Sequence, residues 1–212
     1  MFQSIFYNKK TNEMGVWDDE KGFLNIPFKN FAFEEKEDGK YKTLFGKSVD
    51  KVYDFQDYDP RLYESDLPIE TKFLIEKYGD LDEVSKNHNI VIIDIETDSE
   101  NGFPDMTKFD KSITAISLYD KTSNFYYCFI LDKESKVSEN LNKENVIIYS
   151  FNNEENLLKS FLNKWEEIGP TIVTGWNACY NGENGGFDLP YIYGRIKNTL
   201  GDKDVSRLSP IG

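Results

Sequence analysis

The 212-residue sequence predicts an α/β domain built on a mixed sheet, preceded by a smaller β-rich domain. Three observations predict this. Residues 1–60 break into strand-length runs separated by turn residues. From residue 90 onward, three consecutive strand candidates give way to helix, strand and helix. Between the two regions lies the polar stretch Ser85-Lys86-Asn87-His88-Asn89, so the expected domains are 1–87 and 88–212.

In the first region, Phe2 to Tyr7 reads as a strand, and Asn12 and the Asp18–Gly22 segment as turns. Phe31-Ala32-Phe33 and Tyr41–Phe45 flank Asp38-Gly39, a pair suited to tight reversal, and together predict a hairpin. A connecting helix is expected near 67–78, with Asp66 as N-cap, Pro68 in the first turn and Glu70 near the capping-box position. Ile69, Phe73, Leu74 and Tyr78 form its apolar face and Gly79 ends it.

In the second region, Ile90 to Ile95 is a nearly unbroken apolar strand, a pattern suited to a strand covered on both faces. Ile113–Tyr119 and Phe125–Leu131 follow as strands around the turn Asp120–Asn124, and Val146–Tyr149 is another. Asn152 or Asn153 caps a helix whose inward stripe is Leu157, Leu158, Phe161, Leu162, Trp165 and Ile168, ended by Gly169-Pro170. Thr171–Thr174 gives a further strand. A last helix starts around Leu189-Pro190, carries Tyr191, Ile192, Ile196 and Leu200 inward, and ends at Gly201.

Composition excludes several classes. Aromatic residues reach 15% and hydrophobic residues 39%, enough for a core, so wholesale disorder is excluded. No apolar run approaches the roughly 18 residues of a membrane helix, so no membrane partner is expected. Met1–Tyr7 has no basic stretch ahead of an apolar run, which predicts no secretory signal. Cys128 and Cys179 are too few for a disulfide scaffold or a cysteine-built zinc site, and point to a reducing compartment such as a cytoplasm. The one histidine, His88, reads as a loop residue and argues against a His-rich metal site or a Ser-His-Asp triad. Net charge is −13, and only Arg61, Arg195 and Arg207 are arginines, so no long basic footprint for phosphate exists. Either the acids simply keep the protein soluble, or some hold divalent cations that face phosphates.

The carboxylates are the candidates for chemistry. Asp94 and Glu96 stand two apart on the most apolar strand, hence on one face, ~6.6 Å apart along it. On a buried strand such a pair is costly, and a divalent cation relieves both the repulsion and the desolvation. Alternatively the strand ends at Asp94 and both acids are solvated. Asp98 is read as solvated. Asp188, between the glycine-rich Asn181–Gly186 stretch and a helix start, reads alone as an ordinary N-cap. Arg195 and Lys197 read as helix-surface charges within reach of a phosphate.

At this point several ordered stretches resemble family B DNA polymerases. Val91-Ile92-Ile93-Asp94-Ile95-Glu96-Thr97 is similar to the family's first exonuclease motif. Thr174-Gly175-Trp176-Asn177 and Phe187-Asp188-Leu189-Pro190-Tyr191 resemble its second. Gly102-Phe103-Pro104, Ile113-Thr114-Ala115-Ile116 and Arg207-Leu208-Ser209-Pro210 are similar to the T-even-type bacteriophage branch. Tyr63–Pro68 with Lys72–Ile75 resembles the helix ahead of the exonuclease domain. The resemblance runs over about residues 63–212; residues 1–62 match only in being β-rich.

The resemblance implies a ribonuclease H-like fold and a 3′→5′ proofreading exonuclease of DNA replication, in the host bacterial cytoplasm. It implies two-metal phosphodiester hydrolysis with Mg2+ or Mn2+ at the 3′ end of single-stranded DNA. By motif, Asp94 bridges both metals, Glu96 binds one, and Asp188 holds the second directly or through water. Phe103 and Asn177 become candidate contacts to the 3′ end, although Phe103 also fits a core position.

Two departures stand out. Asn177 is followed by nine residues before Phe187, where the family has a few. A second register uses Tyr180–Asn184 and puts Asn181 in the place of Asn177. The third motif, with a Tyr and a metal-binding Asp, does not appear before Gly212. That predicts the N-terminal piece of a polymerase, without polymerase activity, whose exonuclease site is completed by the remaining polymerase polypeptide. Two alternatives stay open: a self-sufficient nuclease recruiting Glu183 or Asp204, or a non-catalytic nucleic-acid-binding or interaction module. An incomplete sheet would expose apolar surface and favour a homodimer or a bound partner.

Overall fold

The computed structural model describes residues 1–55, 58–100, 102–134, 143–178 and 186–209. They fall into two compact units, Met1–Asn87 and His88–Gly212.

The first unit holds an antiparallel meander of β1 (Phe2–Asn8), β2 (Glu13–Asp18) and β3 (Gly22–Pro27). Its turns fall where Asn12 and Gly22 adopt positive φ. A second sheet contains β4 (Ala32–Glu35), β5 (Tyr41–Lys42) and β6 (Ser48–Val52). Here the expected hairpin is corrected. β4 and β5 do not pair with each other; both pair with β6, which lies between them. Asp38-Gly39 does turn the chain, with the Gly39 N–H donating to the Lys36 carbonyl at 2.9 Å. The turn crosses β6 so closely that a Cβ on Gly39 would lie 2.5 Å from the Val49 backbone. Leu44 and Phe45, expected in the strand, are instead fully exposed beyond its end.

Helix α1 (Ile69–Tyr78) buries Phe73 among Met14, Val16, Phe28 and Phe31, with Ile69, Leu74 and Tyr78 packed alongside. Its N-cap is Pro68, not Asp66, and no side chain caps it. The residue before a proline is pushed out of the helical region, so Leu67 cannot serve as a first helical residue after Asp66, and Pro68 is itself extended at ψ 142°.

The second unit is built on a five-stranded sheet of order β10-β9-β8-β7-β11. β7 (Ile90–Thr97), β8 (Ile113–Asp120) and β9 (Phe125–Leu131) form an antiparallel meander. β10 (Val146–Phe151) joins β9 in parallel, and β11 (Ile172–Thr174) joins β7 in parallel. The sheet is therefore mixed.

Helix α2 (Glu154–Ile168) starts at Asn153, whose side chain accepts the Asn156 N–H at 2.9 Å, and stops at Gly169 with φ +56°. Its stripe Leu157, Leu158, Phe161, Leu162 and Trp165 is buried. Helix α3 (Asp188–Thr199) buries Tyr191, Ile192 and Ile196 in the same core, followed by the short α4 (Asp202–Val205).

Core burial falls on one face of β7. Val91, Ile93 and Ile95 are buried, while Ile92, Asp94 and Glu96 are exposed. The expectation of a strand covered on both faces is thus corrected. Ile92 makes the run look continuous, yet it is 44% exposed and shares its face with the two acids. No helix among the described residues is long and apolar enough to cross a membrane.

Candidate functional site

Asp94 and Glu96 stand inside β7, which runs on to Thr97, so the strand does not end at Asp94. Period-two geometry sets both carboxylates on the open face. Asp94 pairs with Ser117 of β8, and Glu96 with Ala115, small neighbours that leave the carboxylates room. Asp98 is half-buried rather than solvated. Its Oδ1 accepts the Glu100 N–H at 3.0 Å and closes the turn that leaves β7.

Asp188 is not an N-cap. It is the first residue of α3, the cap position is Phe187, and no side chain caps the helix. The helix start is satisfied by main chain instead. The Asn177 carbonyl accepts the N–H groups of Phe187 and Asp188, and the Ala178 carbonyl accepts that of Leu189 at 3.0 Å. The Asp188 carboxylate is therefore released from capping. It is 3% exposed, and its Oδ2 is the only buried side-chain polar atom among the described residues without a hydrogen-bond partner. Burial first, and then the charges of Asp94 and Glu96, push its pKa up from 3.8 to about 6.

The segment 175–178 that caps α3 is itself pressed onto β7. A Cβ on Gly175 would lie 2.3 Å from the Ile93 carbonyl oxygen and 2.8 Å from the Ala178 side chain. Only glycine allows that approach without a backbone shift. Asn177 thus sits beside Asp188 with its side chain exposed. Asn181 and Glu183 lie outside the described residues. Asp204 is ion-paired with Arg207 at 3.2 Å. Phe103 is not a core residue; it is 94% exposed.

Arg195 is neither a free surface charge nor open to phosphate. It grips both oxygens of Glu154, at 2.8 and 2.6 Å, and donates to the Phe109 carbonyl at 2.9 Å. Glu154 also accepts the Ile113 N–H at 2.8 Å. One turn earlier, the Tyr191 hydroxyl accepts from Lys111 N–H and donates to its carbonyl. Asn198 donates to the Lys108 carbonyl at 2.9 Å. These α3 side chains strap the β7–β8 connection to the helix that carries Asp188. Sequence reading missed this strap. Its one visible signal is Gly194 inside an amphipathic helix, where a Cβ would meet the Phe109 ring at 2.3 Å.

No three His, Cys, Asp or Glu side chains among the described residues gather tightly enough to form a ready metal cage. The donor set nevertheless suits a hard divalent cation: carboxylate oxygens only, one of them buried and unpartnered.

Mixed sheet, helices on its covered face and acids on the first strand and last long helix define a ribonuclease H-like α/β domain. Residues 51–212 match the family model of the DNA polymerase family B exonuclease domain, and the chain belongs to that family. It is 30% identical over 211 residues to the DNA-directed DNA polymerase of Enterobacteria phage T4, covering 84% of this chain and 22% of that protein. It is 34% identical over 137 residues to the DNA-directed DNA polymerase of Escherichia phage RB69, covering 55% and 14%. It is 33% identical over 122 residues to the DNA polymerase catalytic subunit of Alcelaphine herpesvirus 1, covering 55% and 11%. The chain therefore spans less than a quarter of the length of each of these relatives. The family match begins in β6, ahead of the expected start near residue 63.

Proposed function

We propose that this chain carries the 3′→5′ proofreading exonuclease region of a phage-type family B DNA polymerase and trims the 3′ end of single-stranded DNA. The observation that carries the reading is the Asp188 carboxylate, buried beside Asp94 and Glu96 with one oxygen unpartnered. Three acids in that relation repel one another, and a divalent cation turns the repulsion into ligation. Asp94, Glu96 and Asp188 would hold Mg2+ or Mn2+. When bound, a pair of such ions supplies an activated water and neutralises the leaving oxygen.

The chain's own contributions follow from its geometry. β7 fixes Asp94 and Glu96 on one face of a rigid strand. α3 holds Asp188 at low exposure. The exposed side chains of Asn177 and Phe103 are available to the 3′-terminal nucleotide.

A second reading has a specific observation in its favour. The acids do not close into a three-ligand cage among the described residues. A half-site that needs the remaining polymerase polypeptide, or a non-catalytic binding module, accounts for that.

The test is digestion of 5′-labelled single-stranded DNA in magnesium or manganese, with Asp94→Ala alongside. A 3′→5′ ladder that disappears in the variant supports the exonuclease. Absence of any ladder from the folded chain favours the half-site, and binding indifferent to both metal and Asp94→Ala favours the binding module.

A further inference from the structure

Trp176 is 101% exposed. The other two tryptophans are engaged: Trp165 is 7% exposed and donates from Nε1 to the Leu208 carbonyl, and Trp17 packs on Phe23 at 4.8 Å between ring centroids. Trp176 has no ring or hydrogen-bond partner among the described residues. A bare indole on a chain of net charge −13 is not placed there by the need to fill a core.

Its backbone is held on both sides. Gly175, just before it, is wedged against the Ile93 carbonyl, the peptide that leads into Asp94. Asn177, just after it, spends its carbonyl on the start of α3, and Ala178 is buried. Two residues back, Thr174 pairs with Ile92 on β7. Trp176 therefore projects from a pinned turn that touches both elements bearing the acids. An aromatic ring so placed loses little backbone freedom when it receives a planar ligand.

We infer that Trp176 is a base-stacking platform, which holds a nucleobase of the single strand whose backbone the acidic site engages. The inference rests on the exonuclease reading above. It adds a sequence-tolerant grip that needs no basic residue, since every base offers a π-face. Trp176 touches the strand away from the reacting atoms and contributes to binding, not to the chemistry.

The test is fluorescence anisotropy of a labelled oligodeoxythymidylate in calcium, with the chain as it stands and with Trp176→Ala and Trp176→Phe. A matched strand whose 3′-terminal nucleosides are abasic is the control. The expected result is affinity on the order of tenfold weaker for Trp176→Ala on the base-bearing strand, most of it recovered by Trp176→Phe, and no change on the abasic strand. Equal binding by Trp176→Ala on the base-bearing strand overturns the stacking role and leaves the exonuclease reading standing. Equal loss on both strands makes Trp176 structural and also overturns it. If the unaltered chain binds neither strand, the exonuclease reading falls, and the stacking role with it.

Discussion

The main-chain oxygen of Asn177 accepts the N–H groups of both Phe187 and Asp188, at 2.6 and 3.1 Å. One carbonyl thus does for α3 what an N-cap side chain does elsewhere. The consequence is chemical, because an Asp that capped its own helix would have its carboxylate occupied and its pKa lowered. Here the carboxylate is buried without that compensation, next to two other acids.

The first prediction concerns Asp188 without metal. Its folded pKa of about 6 exceeds the ordinary 3.8, so the native state holds a proton that the unfolded chain has lost between those values. Stability therefore falls as pH rises through this window, and the deficit is complete above it. Asp188→Asn removes the charge and should stabilise the metal-free chain at pH ~8 by on the order of 2 kcal/mol, with little gain near pH ~4. Urea unfolding in EDTA at both pH values checks this. Saturating manganese should then stabilise the unaltered chain more than the variant.

Gly175→Ala forces a methyl into the Ile93 carbonyl. Overpacking of this kind costs roughly 1–3 kcal/mol. Because the displaced turn also caps α3, manganese affinity should weaken together with stability. Calorimetric titration beside thermal unfolding reads both.

The Glu154–Arg195 pair is partly buried and bidentate, and its members also hold Ile113 and Phe109. Glu154→Ala leaves a guanidinium without its partner and should cost about 3 kcal/mol or more. Adding Arg195→Met should cost less than the sum of the two single changes. A double-mutant cycle in urea gives the coupling.

Asn153→Ala removes the side-chain cap of α2 and should cost about 1 kcal/mol. The helix stays anchored by its buried stripe, so far-ultraviolet circular dichroism should be unchanged at low temperature while the unfolding midpoint drops.

What was legible in the sequence is what local periodicity controls. The strands β7, β8 and β9 and the stripes of α2 and α3 follow from spacing, and so does the common face of Asp94 and Glu96. β6 was not legible. Ser48-Val49-Asp50-Lys51-Val52 is a polar run that becomes a strand because β4 and β5 flank it. The state of Asp188 was not legible either, since a remote carbonyl takes over its capping role. Glu154 and Arg195 lie 41 residues apart, and no local pattern links them. In each case a contact distant in sequence decided the outcome.

All three arginines are committed to carboxylates: Arg61 to Asp59, Arg195 to Glu154, and Arg207 to Glu166 and Asp204. None remains as a loose guanidinium to displace the ion cloud that condenses on a polyanion. On the proposed function, the cations left to displace that cloud from a bound strand would be lysines, so the fall of its association constant as potassium rises would count lysine–phosphate contacts alone.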